Sequence, residues 1–318
     1  FRWGMPVEFG GLVIETPQML TGYIELSRLC LTTAFILTQR DAACHRLANS
    51  PNASLRQTLL PEHCSGQSLA TVGISHLSTS RQHWSRPSVV ATETPDGYEI
   101  TGEAPWVTGG RQADLLVTGA TLESGEQILA AIPTKRSGVV VGPALKLMAL
   151  NESCTGSVML DRVQIAREEI VLGPMPHVMK VGATGGTGSF TTTAVAIGAA
   201  TRTLQEFECE STSRPELADV IQQLNDQLSM LRADLMTAAS TSMAADQLKT
   251  TAEDLRLRAN SLVTRTSQTY VCSAKGAGFV LGHPAERYLR QSMFFQVWSC
   301  PPVVTQARLS ELKRSPAS

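Results

Sequence analysis

The side chains of this chain best suited to metal binding or nucleophilic catalysis are seven cysteines and six histidines. The cysteines contain no C-x-x-C pair, and the histidines contain neither an H-E-x-x-H sequence nor a pair four residues apart. Metal sites in proteins use such spacings because the ligands must converge on one ion. We therefore expect no metal, and the odd cysteine count favours reduced thiols over a disulfide framework.

Two of these residues are candidates for chemistry on their own. His76 could act as a base, although an isolated histidine is more often a structural hydrogen-bonding residue. Cys300 could act as a nucleophile, although nothing in the local sequence guarantees an activated thiol, so an inert thiol is favoured. Glu286 follows Pro284 and is interpreted as an acid at the start of a helix, where the helix dipole favours a negative charge.

A glycine-rich stretch at 178–188, VMKVGATGGTG, is similar to the turn that binds dinucleotide phosphates. That turn works only between a buried parallel strand and a helix, with a further strand after the helix. Here the preceding apolar run is short, and the helix that follows leads into another helix. We interpret the stretch as a connection and expect no nicotinamide site.

Composition limits the class of protein. The chain has 318 residues, with 27 Lys and Arg against 28 Asp and Glu, so no global basic field is present to bind nucleic acid. Hydrophobic residues make up 42% and charged residues 17%, which is typical of a globular protein with a sizeable core. No apolar run reaches the roughly 20 residues of a membrane span. We expect a cytoplasmic protein, and the start FRWG predicts a chain that begins partway into a domain.

The periodicity of apolar residues changes twice along the chain. Helical spacing from Pro17 to about Leu60, with a second short helix at 39–47, gives way to short alternating runs between Ser68 and Leu172, and helical spacing returns from Gly188. The pattern predicts three domains: N-terminal helices at 1–67, a middle β domain at 68–173 and a helical bundle at 184–318.

The middle region contains a hairpin signal. The runs starting at Ser88 and Tyr98 are separated by TPDG at 94–97, where proline fixes φ and glycine is expected to supply a positive φ. Further strands are predicted at 113–120, 127–133, 138–141 and 156–163. Because no room is left for crossover helices, we expect an antiparallel barrel or sandwich.

The last third of the chain predicts helices that pack as a bundle. Leucine and isoleucine recur from Leu217 to Leu235 at alternating steps of four and three, which is typical of a bundle seam. This seam and the apolar end FFQVW at 294–298 are more apolar surface than one small bundle readily buries. We expect a homodimer or a homotetramer.

Several segments, in order along the chain, resemble the acyl-CoA dehydrogenase family of flavoproteins. The segments are FGGL at 9–12, DGYEITG at 96–102, WVTGG at 106–110, AD at 113–114, TGSVMLDRV at 155–163 with LG at 172–173, ATRTL at 200–204, GAGF at 276–279 and PAERYLR at 284–290. The resemblance implies an α+β fold with N-terminal helices, of which the opening ones are missing, a middle antiparallel β-barrel domain and a C-terminal four-helix bundle.

The resemblance also implies a flavin site that binds FAD. The family's tryptophan and threonine beside the flavin ring correspond to Trp106 and Thr108, an indole face and a hydroxyl group that suit that contact. A second ring contact in the family comes from a Thr-Glu-Pro strand, which corresponds to residues 75–77. Ser75 keeps the hydroxyl group, whereas His76 and Leu77 replace the glutamate and the proline. Ser80 and Arg81 are placed to hold the pyrophosphate.

The departures from the family concern the catalytic base and the contacts between subunits. The family's catalytic glutamate corresponds to Ser299, and an alternative position for it corresponds to Gly188, so no carboxylate occupies either place. The family's Arg-x-x-Phe-Gly turn, which reaches the FAD of a neighbouring subunit, is replaced by SRPEL at 213–217. The family's glutamine and its glycine pair near that FAD correspond to Cys272 and to KG at 275–276. A hydroxyl group cannot accept the substrate's α-proton without a partner.

Four functions stay open from the sequence. The first is a flavin-dependent oxidoreductase acting on an acyl thioester, such as an acyl-CoA, or a related small molecule. The second is a flavin-dependent monooxygenase on the same scaffold, which needs no α-proton base. The third is a non-catalytic homologue, and the fourth is a helical interaction module without flavin, which the β-domain motifs disfavour.

Overall fold

The computed structural model describes residues 2–78, 86–181, 190–300 and 302–313. Its backbone contacts divide the chain into two compact units. The first, here the sheet unit, comprises residues 1–14, 36–147 and 151–186; the second, here the helical unit, comprises residues 15–35, 148–150 and 187–318. The predicted division into three domains stays a prediction.

Three helices begin the chain: α1 at Thr16–Leu29, α2 at Leu31–Ala48 and α3 at Ala53–Ser65. The short helix predicted at 39–47 is the second half of α2. Helix α1 starts with a reciprocal cap in which the amide of Glu15 donates to Gln18 Oε1 at 3.1 Å. The side chain of Asn52 caps α3 by accepting from the amide of Leu55, and Gly66 ends it in the left-handed region.

Besides α3 and most of α2, the sheet unit contains eight strands and a one-turn helix among the described residues. In chain order these are β1 Ala70–Gly73, α4 Ser75–Ser78, β2 Val89–Thr94, β3 Gly97–Val107, β4 Leu115–Leu122, β5 Gln127–Pro133, β6 Val139–Val141, β7 Gly156–Ala166 and β8 Ile170–Met175. The strands are joined in the order β6-β7-β3-β2-β4-β5-β8, and β1 also pairs with β4.

The predicted antiparallel barrel is wrong in two respects, since the described strands form an open sheet and the pairing is mixed. Strand β4 explains the mixed pairing. Its first half pairs with β1 in parallel, and only Thr121 and Leu122 at its end pair with β2, also in parallel. One edge of β4 is therefore shared by two strands, while β6 and β8 end the described order without pairing with each other. The α+β order of elements is confirmed.

Each face of the sheet contacts apolar groups. Side chains from β2, β3, β4, β5 and β7 form one buried cluster, which includes Ile100, Leu116 and Val158. A second cluster joins α2 and α3 to β1, β4 and β5. Because both faces of β4 are covered, its residues are apolar almost without alternation.

The hairpin predicted at 94–97 is confirmed, but the role of its glycine differs. Thr94 pairs with Gly97, so a two-residue loop joins β2 to β3. A Cβ atom at Gly97 would lie 2.0 Å from the carbonyl oxygen of Ile165 on β7. Glycine is needed there because β7 approaches closely, rather than for a positive φ.

The helical unit contains α1 together with α5 Phe190–Glu210, α6 Ala218–Ser240, α7 Ala245–Ala274, α8 Pro284–Phe294 and α9 Pro302–Lys313. The predicted leucine seam of α6 is buried against α5 and α7, through Leu224, Leu228, Leu231 and Leu235. Helices α1 and α5 lie so close that a Cβ atom at Gly198 would be 2.2 Å from the carbonyl oxygen of Ile24. Among the described helices, none combines the length and apolar character that crossing a membrane requires.

Candidate functional site

Trp106 lies in a β-bulge between β3 and β7. Ala104 pairs with Val158 and Val107 pairs with Gly156, so Pro105 and Trp106 together face one residue of β7. Trp106 has a φ of 59°, which is uncommon for a bulky L-residue. The bulge interrupts the alternation of the strand and leaves the indole 52% exposed, while Val107 beside it is buried. A large aromatic group is therefore held on the surface by a backbone conformation that carries strain.

Ser75 lies beside the same bulge. Its hydroxyl group donates to the carbonyl oxygen of Pro105 at 3.0 Å. The sequence resemblance predicts a strand at Ser75, but the residue begins the one-turn helix α4. Strand β1 ends at Gly73, whose carbonyl oxygen accepts a hydrogen bond from the Thr118 hydroxyl group. The helical turn then begins, and the amide of Leu77 donates to the carbonyl oxygen of Ile74.

Thr108 is buried behind the bulge. It is 2% exposed, and its hydroxyl group lies 3.0 Å from that of Thr155. Its carbonyl oxygen accepts a hydrogen bond from the Thr71 hydroxyl group at 2.7 Å. The structure therefore brings Ser75, Trp106 and Thr108 together around one bulge, with the indole exposed and the two hydroxyl groups bonded to neighbours. Ser80 and Arg81, predicted to hold pyrophosphate, lie outside the described residues.

His76 points its ring at the sheet. One ring nitrogen, Nε2, lies 3.0 Å from the carbonyl oxygen of Gly119 on β4, and the residue is 8% exposed. A carbonyl oxygen can only accept, so Nε2 carries a proton in this contact. This geometry supports the structural role of His76 over that of a base.

Ser299 and Cys300 lie in the turn after α8. Ser299 has a φ of 49°, in the left-handed region. The thiol of Cys300 donates to the carbonyl oxygen of Phe295 at 3.3 Å, and it also lies 3.5 Å from that of Trp298. These contacts engage the thiol group with backbone carbonyl oxygens, which favours the inert role of Cys300. Gly188, the alternative base position, lies outside the described residues.

A buried guanidinium group supports this turn. Arg256 on α7 is fully buried and donates from Nη2 to the carbonyl oxygen of Trp298 at 2.9 Å. Its guanidinium carbon lies 5.4 Å from the centroid of the Trp298 ring, within the range of a cation–π contact. Burial lowers the pKa of Arg256, because a charged group loses its hydration inside the protein.

Glu286 lies in the first turn of α8, as the sequence predicts. It forms a 2.7 Å ion pair with Arg290 and accepts from the amide of Gly282 at 2.8 Å. The hydrogen bond from Arg290, more than any other contact, lowers the pKa of Glu286. Because both contacts hold the helix start and the loop before it, the role of Glu286 is structural.

Sequence reasoning missed the partners of the bulge. The hydroxyl group of Thr71 bonds to the carbonyl oxygen of Thr108, and the carbonyl oxygen of Ser153 accepts from the amide of Gly109. The hydroxyl groups of Ser153 and Thr155 also bond to each other, and both residues lie far from the bulge in the sequence. Thr155 belongs to a segment that resembles the family, but nothing in that segment assigns it a contact. Within the described ranges, no group of three or more histidine, cysteine, aspartate or glutamate side chains could hold a metal ion.

Comparison with models of known protein families finds no match. Among curated proteins, the chain is 29% identical over 118 residues to a probable acyl-CoA dehydrogenase of Bacillus subtilis, a match that covers 36% of this chain and only 20% of that relative. It is 20% identical over 319 residues to the mitochondrial short-chain specific acyl-CoA dehydrogenase of Mus musculus, covering 92% of this chain and 77% of that protein.

Solved structures agree in fold. The structure of a glutaryl-coenzyme A dehydrogenase complex with glutaryl-CoA gives a TM-score of 0.82 at 17% identity, over 96% of this chain and 82% of that one. Butyryl-CoA dehydrogenase from Megasphaera elsdenii gives 0.80 at 18% identity, over 96% and 85%. Dibenzothiophene monooxygenase from Paenibacillus sp. A11-2 gives 0.79 at 18% identity, over 98% and 87%.

Both the curated relatives and the solved structures agree with the resemblance to acyl-CoA dehydrogenases that the sequence segments indicate. The curated relatives are acyl-CoA dehydrogenases, and the solved structures cover nearly the whole of this chain with one common architecture. The chain is therefore similar in sequence to acyl-CoA dehydrogenases and has their fold.

Proposed function

We propose that this protein is a flavin-dependent oxidoreductase that uses FAD. The observation that carries the proposal is Trp106, a half-exposed indole held at positive φ in a bulge, with the hydroxyl groups of Ser75 and Thr108 beside it. Strain of this kind persists where a function requires the side chain at that place. The names of the curated relatives and of the solved structures of the same fold support the oxidoreductase class.

The residues of the bulge fit a flavin ring. The indole of Trp106 offers an apolar face for stacking, and the hydroxyl groups of Ser75 and Thr108 can each form one more hydrogen bond. The hydroxyl group of Ser80 and the guanidinium group of Arg81 are the donors proposed for the pyrophosphate. When bound, the flavin supplies a two-electron acceptor for a hydride from a substrate carbon.

The substrate that this proposal names is an acyl thioester, such as an acyl-CoA, or a related small molecule. Oxidation of a saturated acyl chain requires a base that accepts the α-proton while the hydride leaves the β-carbon. We assign the position of that base to Ser299, whose hydroxyl group cannot accept the proton unaided. Ordinary dehydrogenation of simple acyl-CoA substrates is therefore expected to be slow, because a positioned base contributes about 10²–10⁴-fold to such a step.

A second candidate function is a flavin-dependent monooxygenase. The serine at position 299 favours it, because oxygen transfer from reduced flavin needs no α-proton base. The fold is also that of a protein named as a dibenzothiophene monooxygenase. A non-catalytic homologue is the third possibility, and it predicts that no flavin binds.

The deciding experiment begins with the visible spectrum of the purified protein and its titration with FAD. Flavin-loaded protein is then mixed anaerobically with a panel of acyl-CoA thioesters while the flavin absorbance is followed. We expect slow bleaching or none. Turnover of an added substrate only with reduced flavin and oxygen would select the monooxygenase, rapid bleaching by any saturated acyl chain would refute the assignment of Ser299, and failure to bind FAD would leave the non-catalytic homologue.

The proposal includes a cytoplasmic homodimer or homotetramer without nucleic-acid or membrane partners. The leucine seam of α6 no longer supports self-association, because it is buried within the helical unit. Three consecutive exposed residues after α7 support it instead: Phe279, Val280 and Leu281 are 87%, 61% and 85% exposed. Sedimentation that finds only a 34.2 kDa species at micromolar concentration would contradict this part of the proposal.

A further inference from the structure

Two arginine side chains of the helical unit converge on one tyrosine hydroxyl group. Arg202 on α5 donates from Nε to the hydroxyl oxygen of Tyr288 on α8 at 3.2 Å, and Arg287 donates from Nη2 to the same oxygen at 2.9 Å. Because both nitrogens lie within hydrogen-bond distance of one atom, the two guanidinium groups are close neighbours. Tyr288 is buried, whereas the side chain of Arg202 is 41% exposed and Arg287 is exposed, so a ligand can reach both charges.

The carboxylates beside this cluster leave one of the two charges without an ion pair. Glu206, one turn after Arg202 on α5, pairs with that arginine. Glu286 pairs with Arg290 at 2.7 Å. Arg287 forms no ion pair within the part of the chain that the structure describes. Like charges repel each other, so a fold that brings two guanidinium groups together loses free energy unless a negative charge joins them.

Every polar atom that the cluster leaves unused is a hydrogen-bond donor. The hydroxyl oxygen of Tyr288 accepts from both arginines, so the group still has its own proton to donate. Among the described residues, neither that proton, nor Nη1 of Arg202, nor Nε and Nη1 of Arg287 has a hydrogen-bond partner. A guanidinium group has no acceptor atom. A ligand that fits the cluster must therefore offer acceptors, which is the property of an ionised carboxylate, sulfate or phosphate group.

We propose that Arg202, Arg287 and Tyr288 form a binding site for the carboxylate group of a small organic acid. The charge of the cluster selects this class. Glu206 already balances Arg202, so one positive charge remains, and a carboxylate balances it with charge-assisted hydrogen bonds. A doubly charged sulfate or phosphate would bring a second negative charge close to Glu206. The three residues belong to the helical unit and none to the bulge that carries Trp106, so the inference goes beyond the proposed flavin function.

The test follows the melting temperature of the full chain as acetate or sulfate replaces chloride at one pH and one ionic strength, so that screening stays equal. An anion that binds the folded protein raises the melting temperature saturably. Arg202→Gln and Arg287→Gln each remove one charge and keep a polar side chain. Arg232→Gln is the matched control, because Arg232 is an exposed arginine on α6 of the same unit, outside the cluster. It also measures the general effect of each salt on stability.

We expect acetate to bind the wild type and Arg232→Gln alike, and to bind Arg202→Gln and Arg287→Gln about tenfold more weakly, because each loses a charged donor. Wild type without a saturable response to acetate, or an equal response in all variants, would overturn the inference. Sulfate that binds through the same arginines more tightly than acetate would overturn the carboxylate class. Because Arg287 is exposed and forms no ion pair among the described residues, Arg287→Gln carries the test even if Arg202→Gln does not fold.

Discussion

Replacing Trp106 by alanine tests the proposed flavin site most directly. The indole is 52% exposed in the structure. That fraction amounts to about 100 Å² of the roughly 200 Å² of a tryptophan side chain. Covering that area with a flavin ring is worth about 2.5 kcal/mol, and aromatic stacking adds about 1 kcal/mol. Because alanine retains a small part of this contact, we expect a loss of about 3 kcal/mol, or about 100-fold weaker binding of FAD.

The variant should remain folded. The half of the indole that is already buried contributes about 2 kcal/mol to the free energy of unfolding, which a domain of this size tolerates. Alanine also keeps the positive φ of an L-residue, so the backbone strain of the bulge is not relieved. Circular dichroism and a thermal melt check the fold before any binding measurement.

The assay is a titration of the colourless protein with FAD, followed by ultrafiltration and by quenching of the flavin fluorescence. Trp106→Tyr is the conservative variant, because it keeps a ring that can stack, and its affinity should stay within about tenfold of wild type. Val90→Ala is the control for an exposed apolar residue, 41% exposed on β2 outside the bulge. Wild-type affinity in a folded Trp106→Ala protein would refute the assignment and place the flavin elsewhere.

Three further variants test the proposed base, an ion pair and a helix contact. Ser299→Glu should raise the rate of anaerobic flavin bleaching by a saturated acyl-CoA about 100-fold or more, and an unchanged rate would show that position 299 does not face the substrate. Burial alone would raise the pKa of Glu169, but hydrogen bonds from Arg136 and from the amide of Ala166 lower it below its ordinary value of 4.5. The ion pair therefore stabilises the fold above that value and is lost as the pH falls through the folded-state pKa. Urea unfolding of Glu169→Gln should show a loss of about 1 kcal/mol at pH 7 that disappears as the pH falls through the folded-state pKa, and a loss that does not change with pH would contradict the ion pair. Gly198→Ala should lower the free energy of unfolding by about 2 kcal/mol, because the added methyl group would overpack the contact between α1 and α5. Its Cβ atom would lie 2.2 Å from the carbonyl oxygen of Ile24, so an unchanged denaturation midpoint would contradict this close packing.

The sequence by itself determined the order of the elements. Apolar spacing near 3.6 residues, short alternating runs and the TPDG turn are local signals, and they predict the helices, the hairpin at 94–97 and the strand at 127–133, which the structure has at Gln127–Pro133. The segments that resemble the family, such as WVTGG at 106–110, predicted the fold. Such short segments are informative because a local backbone feature such as a bulge requires particular residue types. They also located Trp106 and Thr108.

Only the tertiary structure decided how distant parts of the chain meet. Nothing local tells β4 to share one edge between β1 and β2, because strand pairing depends on packing against residues far away in the sequence. The same holds for Ser75, which begins a one-turn helix instead of the expected strand, two residues after Gly73, whose carbonyl oxygen accepts from the hydroxyl group of the distant Thr118. The contact between the hydroxyl groups of Thr108 and Thr155 exists only after β3 and β7 pair, since hydrogen bonds between side chains 47 residues apart follow from the register of the strands.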